Sequence, residues 1–119
     1  MGIFNATAID PHDVDKVHRH ALLESERVLF AFKTVRDFIV FTEWRLLYID
    51  VQGITGSKTS YLTIPYRSIT SFAIVSAGTF DLDAEIKLSL SGLAPIEFKI
   101  GRSADVRGLQ TLLASKLDR

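Results

Sequence analysis

The chain contains no cysteine. That excludes disulfides, thiolate nucleophiles and thiolate-ligated metals. It fits a reducing compartment, so a cytoplasmic setting is expected. The chain has no net charge either: fourteen Lys and Arg are matched by fourteen Asp and Glu. A balanced chain lacks the broad positive field that gathers nucleic acid, so nucleic acid is not an expected partner. No stretch approaches the ~20 consecutive apolar residues of a membrane-spanning helix. The opening MGIFNATAIDPHD has no basic run ahead of an apolar core, so no secretory leader is expected there. Gly2 begins like a myristoylation signal, but Ala6 stands where Ser or Thr is required. Catalytic patterns are missing too. No GxSxG elbow occurs, LSLSG lacking its first glycine, and no serine has a base at a recognisable spacing. The chain is not expected to be an enzyme or to need a cofactor.

What is present is ample apolar content in a short chain. With 119 residues, 47% of them hydrophobic and 24% charged, it reads as one globular domain over 1–119. Residues 10–23, DPHDVDKVHRHALL, predict a helix. Asp10 caps it, Pro11 suits its first turn, and Val14, Val17, Ala21 and Leu22 share a face. With the residues before it, this helix forms an N-terminal extension over 1–23. Strands are predicted near 26–34, 36–42, 45–51, 59–66, 68–76, 81–91 and 95–101, within a strand region 24–103. The sixth alternates Leu82, Ala84, Ile86, Leu88 and Leu90 against Asp83, Glu85, Lys87 and Ser89, giving one buried and one wet face. SGLAP is a turn into the seventh, and VQGITGSKTS is the longest loop. A second helix is predicted over 104–117, capped by Ser103, with Val106, Leu109, Leu113 and Leu117 as its apolar stripe. Gly108 inside that helix points to a close approach to the sheet. The fold class that follows is mainly β: a seven-stranded antiparallel barrel or sandwich, capped by the C-terminal helix and preceded by a short N-terminal one.

The stretch DFIVFTEWRLLYID breaks the alternation expected of a strand with one wet face. Phe38, Ile39, Val40 and Phe41 run unbroken, as nearly do Leu46, Leu47, Tyr48 and Ile49. Two covers for the second face are open: the N-terminal helix, or a neighbouring subunit. On the second reading Phe38, Val40 and Phe41 form an oligomer interface, joined at the turn by Trp44 and Arg45, residue types enriched at interface hot spots. A one-residue shift of register exchanges the two faces, so the outward set is not fixed. Val40→Glu or Phe41→Glu is expected to change assembly size if that face is a subunit contact.

Three motifs resemble sites and fall short of them. GITGSKT has two residues between its glycines, an intervening serine and a following strand, where a phosphate loop needs four residues, Gly-Lys and a helix. DLDAE sets Asp81, Asp83 and Glu85 on one strand face, too flat a row for the oxygens calcium requires. His12, His18 and His20 lack the i, i+4 spacing of a helical zinc site and are expected to face solvent, so no metal is expected.

Taken in order, AFKTVRDFIVFTEWRLLYID, QGITGSK, SYLTIPYRSI and GTFDLDAEIKL resemble the bacterial branch of the pleckstrin-homology superfamily, from about residue 24 to the C-terminus. The resemblance implies a binding scaffold: a seven-stranded meander closed by a C-terminal helix, in a small cytosolic domain that assembles into rings. Eukaryotic relatives take up lipid headgroups with Lys and Arg around the first hairpin. Here that hairpin is FKTVRDF, where Lys33 and Arg36 match in kind but the turn is short and Asp37 follows. Two functions are therefore expected. One is a non-enzymatic, self-associating scaffold whose partner is itself or another protein. The other is a ligand- or lipid-headgroup-binding module at a rim formed by Lys33, Arg36 and Lys58. The sparse cations favour the first, and without a basic surround a membrane surface is the poorest fit.

Overall fold

In this computed structural model residues 4–76, 83–101 and 104–117 are described. Among them the elements run β1 (Phe4–Ile9), α1 (Pro11–His18), β2 (Val28–Lys33), β3 (Phe38–Thr42), β4 (Arg45–Gln52), β5 (Lys58–Pro65), β6 (Ile69–Ser76), β7 (Ala84–Leu90), β8 (Leu93–Ile100) and α2 (Val106–Lys116). Single 3-10 turns occupy Arg19–Ala21 and Tyr66–Ser68. This is a mainly β fold with a C-terminal helix and a short N-terminal one. All seven expected strands are present. An eighth, β1, lies in the segment read as an extension and pairs parallel with β8, Phe4 opposite Phe98 and Ala6 opposite Ile100. The strand set is therefore not wholly antiparallel. The chain forms two compact units, Ala8–Pro65 and Met1–Thr7 with Tyr66–Arg119.

In the unit Ala8–Pro65, β2 to β5 form an antiparallel meander. Register sets Val40 beside Leu47 and Thr63, and Phe41 beside Leu46 and Ile64. Partners across a ladder share a face, so these are the two faces in question. The first packs into one core with Val14 and Leu22: Ala31, Val40, Leu47 and Ile49, flanked by Ile9, Ala21, Val28 and Phe38. The N-terminal helix is the cover. Fully burying each Val, Leu or Ile there contributes roughly 1.5–3 kcal/mol. Asp10 starts the helix, its carboxylate accepting from His12 N at 2.9 Å, and Pro11 follows. Val17, expected on the apolar face, is exposed, and His18 is buried instead. The second face is buried as well: Phe32, Ile39, Phe41, Leu46 and Ile64, with Phe32 edge-on to Phe41.

In the other unit, β6, β7 and β8 pair antiparallel, with β1 beside β8. β7 keeps the expected alternation. Ala84, Ile86, Leu88 and Leu90 are buried, Glu85 and Lys87 half-buried and Ser89 exposed. Leu82 lies outside the described residues. The turn into β8 needs a left-handed residue, which Gly92 supplies at φ 81°. Leu109 and Leu113 form the buried stripe of α2. Its cap is Asp105, whose carboxylate accepts from Gly108 N at 2.9 Å; Ser103 lies outside the described residues. A Cβ on Gly108 would collide with that carboxylate, so the closest approach is to the cap.

Candidate functional site

Of the expected interface residues, Val40 and Phe41 have no exposed surface, and Phe38 is half-buried beneath the α1 end. The chain itself covers both faces of β3 and β4, which leaves nothing at Val40 or Phe41 for a partner. Glutamate there would test folding instead of assembly. Trp44, at 49% exposure, is the one member of the set that faces outward. Arg45 is engaged within the chain. Its Nε and Nη2 reach the two carboxylate oxygens of Glu26 at 2.9 and 2.8 Å, Nη2 also donates to Ala21 O at 2.7 Å, and Nη1 donates to Thr63 Oγ1 at 2.7 Å. Thr42 O–H donates to Glu26 at 2.6 Å, and Leu23 N–H donates to it at 3.1 Å. Burial raises the Glu26 pKa, but the Arg45, Thr42 and Leu23 hydrogen bonds outweigh it and bring the carboxyl down to about 2. This network ties the 21–26 segment to the β3–β4 turn.

The rim cations are brought together in part. Arg36 donates to Gly53 O, which joins the β2–β3 turn to the β4–β5 loop. Lys33 donates to Val35 O at 3.2 Å, its ammonium 5.5 Å from the Phe38 ring centre. Lys58 opens β5 and is exposed. At the tips of these two adjacent loops, Val35 and Ile54 are almost wholly exposed. Asp37 is turned to structure: it accepts from Val51 N at 3.0 Å and from the Tyr48 hydroxyl at 3.2 Å. Burial and then Asp37 push the Tyr48 phenol up to about 12.

One histidine departs from expectation: His20 is exposed like His12, as expected, and His18 is buried. His18 and His20 converge on one hydroxyl. Tyr61 Oη lies 3.2 Å from His18 Nδ1 and 3.0 Å from His20 Nε2. The sequence gives no sign of this because α1 winding stops at His18 (φ −119°, ψ 28°), so helical angles do not relate the two rings. Of DLDAE, Asp81 lies outside the described residues, Asp83 is exposed, and Glu85 lies 3.9 Å from Lys87 Nζ. Among the described residues no group of three or more His, Asp or Glu is placed to hold a metal. A cleft of about 550 Å³ opens beside Asp10, His12, Asp15, Arg19, Glu24 and Arg27. Its two arginines are engaged: Arg19 meets Asp15 at 2.5 Å, and Arg27 meets Glu43 at 3.4 Å.

The last feature is a pair of sheet edges. β5 is the outer strand of the β2–β5 meander, and β6 is the outer strand of the β6–β8 set. Along β5, residues 58–63 are exposed, Tyr61 and Leu62 among them; on β6, Val75 is exposed. Among the described residues no helix is long and apolar enough to cross a membrane.

A model of the bacterial PH domain matches residues 1–117. The chain is 43% identical over 113 residues to the uncharacterized protein YjqA of Bacillus subtilis strain 168, covering 93% of this chain and 90% of that one. It is 31% identical over 118 residues to the uncharacterized protein YozO of the same strain, covering 98% of each. Among solved structures, it superposes at a TM-score of 0.77 on a DUF1696 family protein with a pleckstrin-homology domain from Shewanella loihica PV-4, with 37% identity over 96% of this chain and 98% of that one. A pleckstrin homology domain from Shewanella amazonensis SB2B gives 0.64, with 42% identity over 92% and 89%.

Proposed function

Because the chain belongs to the bacterial PH-domain family, we propose that it is a non-enzymatic module of the bacterial cytosol that self-associates edge to edge and serves as a scaffold. The observation that carries this reading is the chemistry of its two edge strands. Monomeric proteins blunt such edges with charge, proline or bulges. Between Lys58 and Pro65, β5 reads TSYLTI with no charge; β6, ITSFAIVS, has no charge either, and its one register shift lies at its start, between Ile69 and Ser71, so that Phe72–Ser76 pairs regularly. Pairing β5 of one copy with β6 of the next is a head-to-tail contact, and such contacts generate rings when the rotation closes. The interface assigned by this reading is the pair of edges, with Tyr61, Leu62 and Val75 beside them; Trp44 is the remaining exposed anchor.

Light scattering on the full chain tests it. The wild type is expected at a multiple of the monomer mass, and Leu62→Glu or Val75→Glu is expected to yield smaller species with unchanged circular dichroism. A wild type that stays monomeric as its concentration rises would sink the proposal.

A second reading, headgroup binding at the rim, is favoured by one specific feature. Two apolar loop tips, Val35 and Ile54, are flanked by Lys33, Arg36 and Lys58. Flotation of the protein with anionic vesicles at physiological salt, lost in Ile54→Asp, is the outcome this reading requires.

A further inference from the structure

We propose that His18, His20 and Tyr61 form an acid-released latch that fastens the end of α1 to the edge strand β5. Every part of the latch lies in one chain; it shares Tyr61 with the β5 edge of the proposed assembly, and its test reads exchange in α1 and not assembly mass. Tyr61 Oη stands 3.2 Å from His18 Nδ1 and 3.0 Å from His20 Nε2. One hydroxyl has one proton and two lone pairs. In the neutral state it donates to one imidazole and accepts an N–H from the other. A proton added to the accepting ring removes the lone pair that receives the hydroxyl, so Tyr61 Oη must take an N–H from both rings and its own proton loses its acceptor. A proton on both rings sets two cations together, with ring centres 6.1 Å apart.

The surroundings of the His18 ring oppose its charge; His20 is exposed. His18 is 8% exposed, and its ring meets Phe38 edge-on at 5.0 Å. Above the same Phe38 ring sits the Lys33 ammonium of β2. From β4, the residue opposite Tyr61 is apolar Ile49. On α1, Asp15 is engaged by Arg19, and Lys16 is exposed; on β5 the charged residue is Lys58. Among the described residues no carboxylate lies within 4.0 Å of either imidazole. Burial, and then His20, lower the His18 pKa. The ring is thus neutral at neutral pH, and acid charges it against its environment. Since α1 covers Val40, Leu47 and Ile49, opening the latch loosens the cover of that core face.

Hydrogen exchange at about pH 7.5 and about pH 5.5, corrected for intrinsic rates, is the test. In the wild type, amides of residues 14–21 are expected to lose about tenfold in protection at the lower pH, while those of β7 and β8 hold. His18→Asn with His20→Gln keeps polar groups near the bonding positions but removes both imidazoles, and should abolish the loss. Tyr61→Phe supplies an independent arm: removing the shared hydroxyl should lower protection of the same amides about tenfold already at pH 7.5. Equal wild-type protection at both pH values, a loss that survives the histidine substitutions, or a Tyr61→Phe variant with wild-type protection would each overturn the latch.

Discussion

Glu26 bears its charge at 2% exposure and is tolerated there because every bond it needs is made. Arg45 binds it through two nitrogens, a fork-to-carboxylate geometry that lysine does not reproduce. Removing one partner strands the other. Arg45→Ala is therefore expected to destabilise the fold by roughly 3–5 kcal/mol in urea denaturation. The pair also fixes an acid limit. The Glu26 pKa is about 2 in the folded chain against 4.5 ordinarily, so its contribution is complete above about pH 4.5 and is lost as pH falls toward 2. Glu26→Gln should flatten the stability profile across that window. The His18 contribution has its own window: with the folded pKa below 6.5, stability falls as pH drops through 6.5, well above the Glu26 range. The role of Arg45 was not legible in the sequence. Trp-Arg at a turn has the composition of a hot spot, and composition does not distinguish a guanidinium offered outward from one satisfied by a carboxylate 19 residues earlier.

Elements were legible where their periodicity was clean. β7 alternates one face against the other, and its pattern survives intact in the structure. β3 has both faces buried, so FIVF gave no period from which to choose a face. β1 was missed because FNATAI is short and its inward Ala6 is small; what makes it a strand is a parallel partner more than ninety residues away. The α1 cover was one of two open readings, and only the register of Val40, Leu47 and Ile49 selects it. At α2 the sequence named the right glycine for the wrong reason. An interior Gly→Ala change ordinarily gains about 1 kcal/mol of helix propensity. Here the new methyl displaces the Asp105 carboxylate from Gly108 N, and a lost cap costs about the same. Gly108→Ala should therefore change stability by less than about 0.5 kcal/mol, and Asp105→Ala should cost about 1 kcal/mol. In the Asp105→Ala background, Gly108→Ala should stabilise by about 1 kcal/mol, and a double-mutant cycle reads that coupling directly.

At the scale of the molecule, the charge balance separates the two functional readings. Fourteen positive and fourteen negative groups leave no net repulsion between copies and no field drawing them together. The edges proposed to meet, TSYLTI on β5 and ITSFAIVS on β6, carry no charge, so their union rests on backbone hydrogen bonds and apolar contact. Salt has little to screen in such a joint. The rim works otherwise: Lys33, Arg36 and Lys58 attract an anionic surface through water, and that attraction shortens from about 10 Å at 0.1 M salt to about 3 Å at 1 M. Raising salt from about 0.1 M to about 0.5 M should therefore leave the assembly mass by light scattering unchanged, while any vesicle binding through the rim falls steeply. A mass that collapses over the same range would mean that ion pairs hold the copies together. The uncharged edges would then be the wrong place to look for the contact.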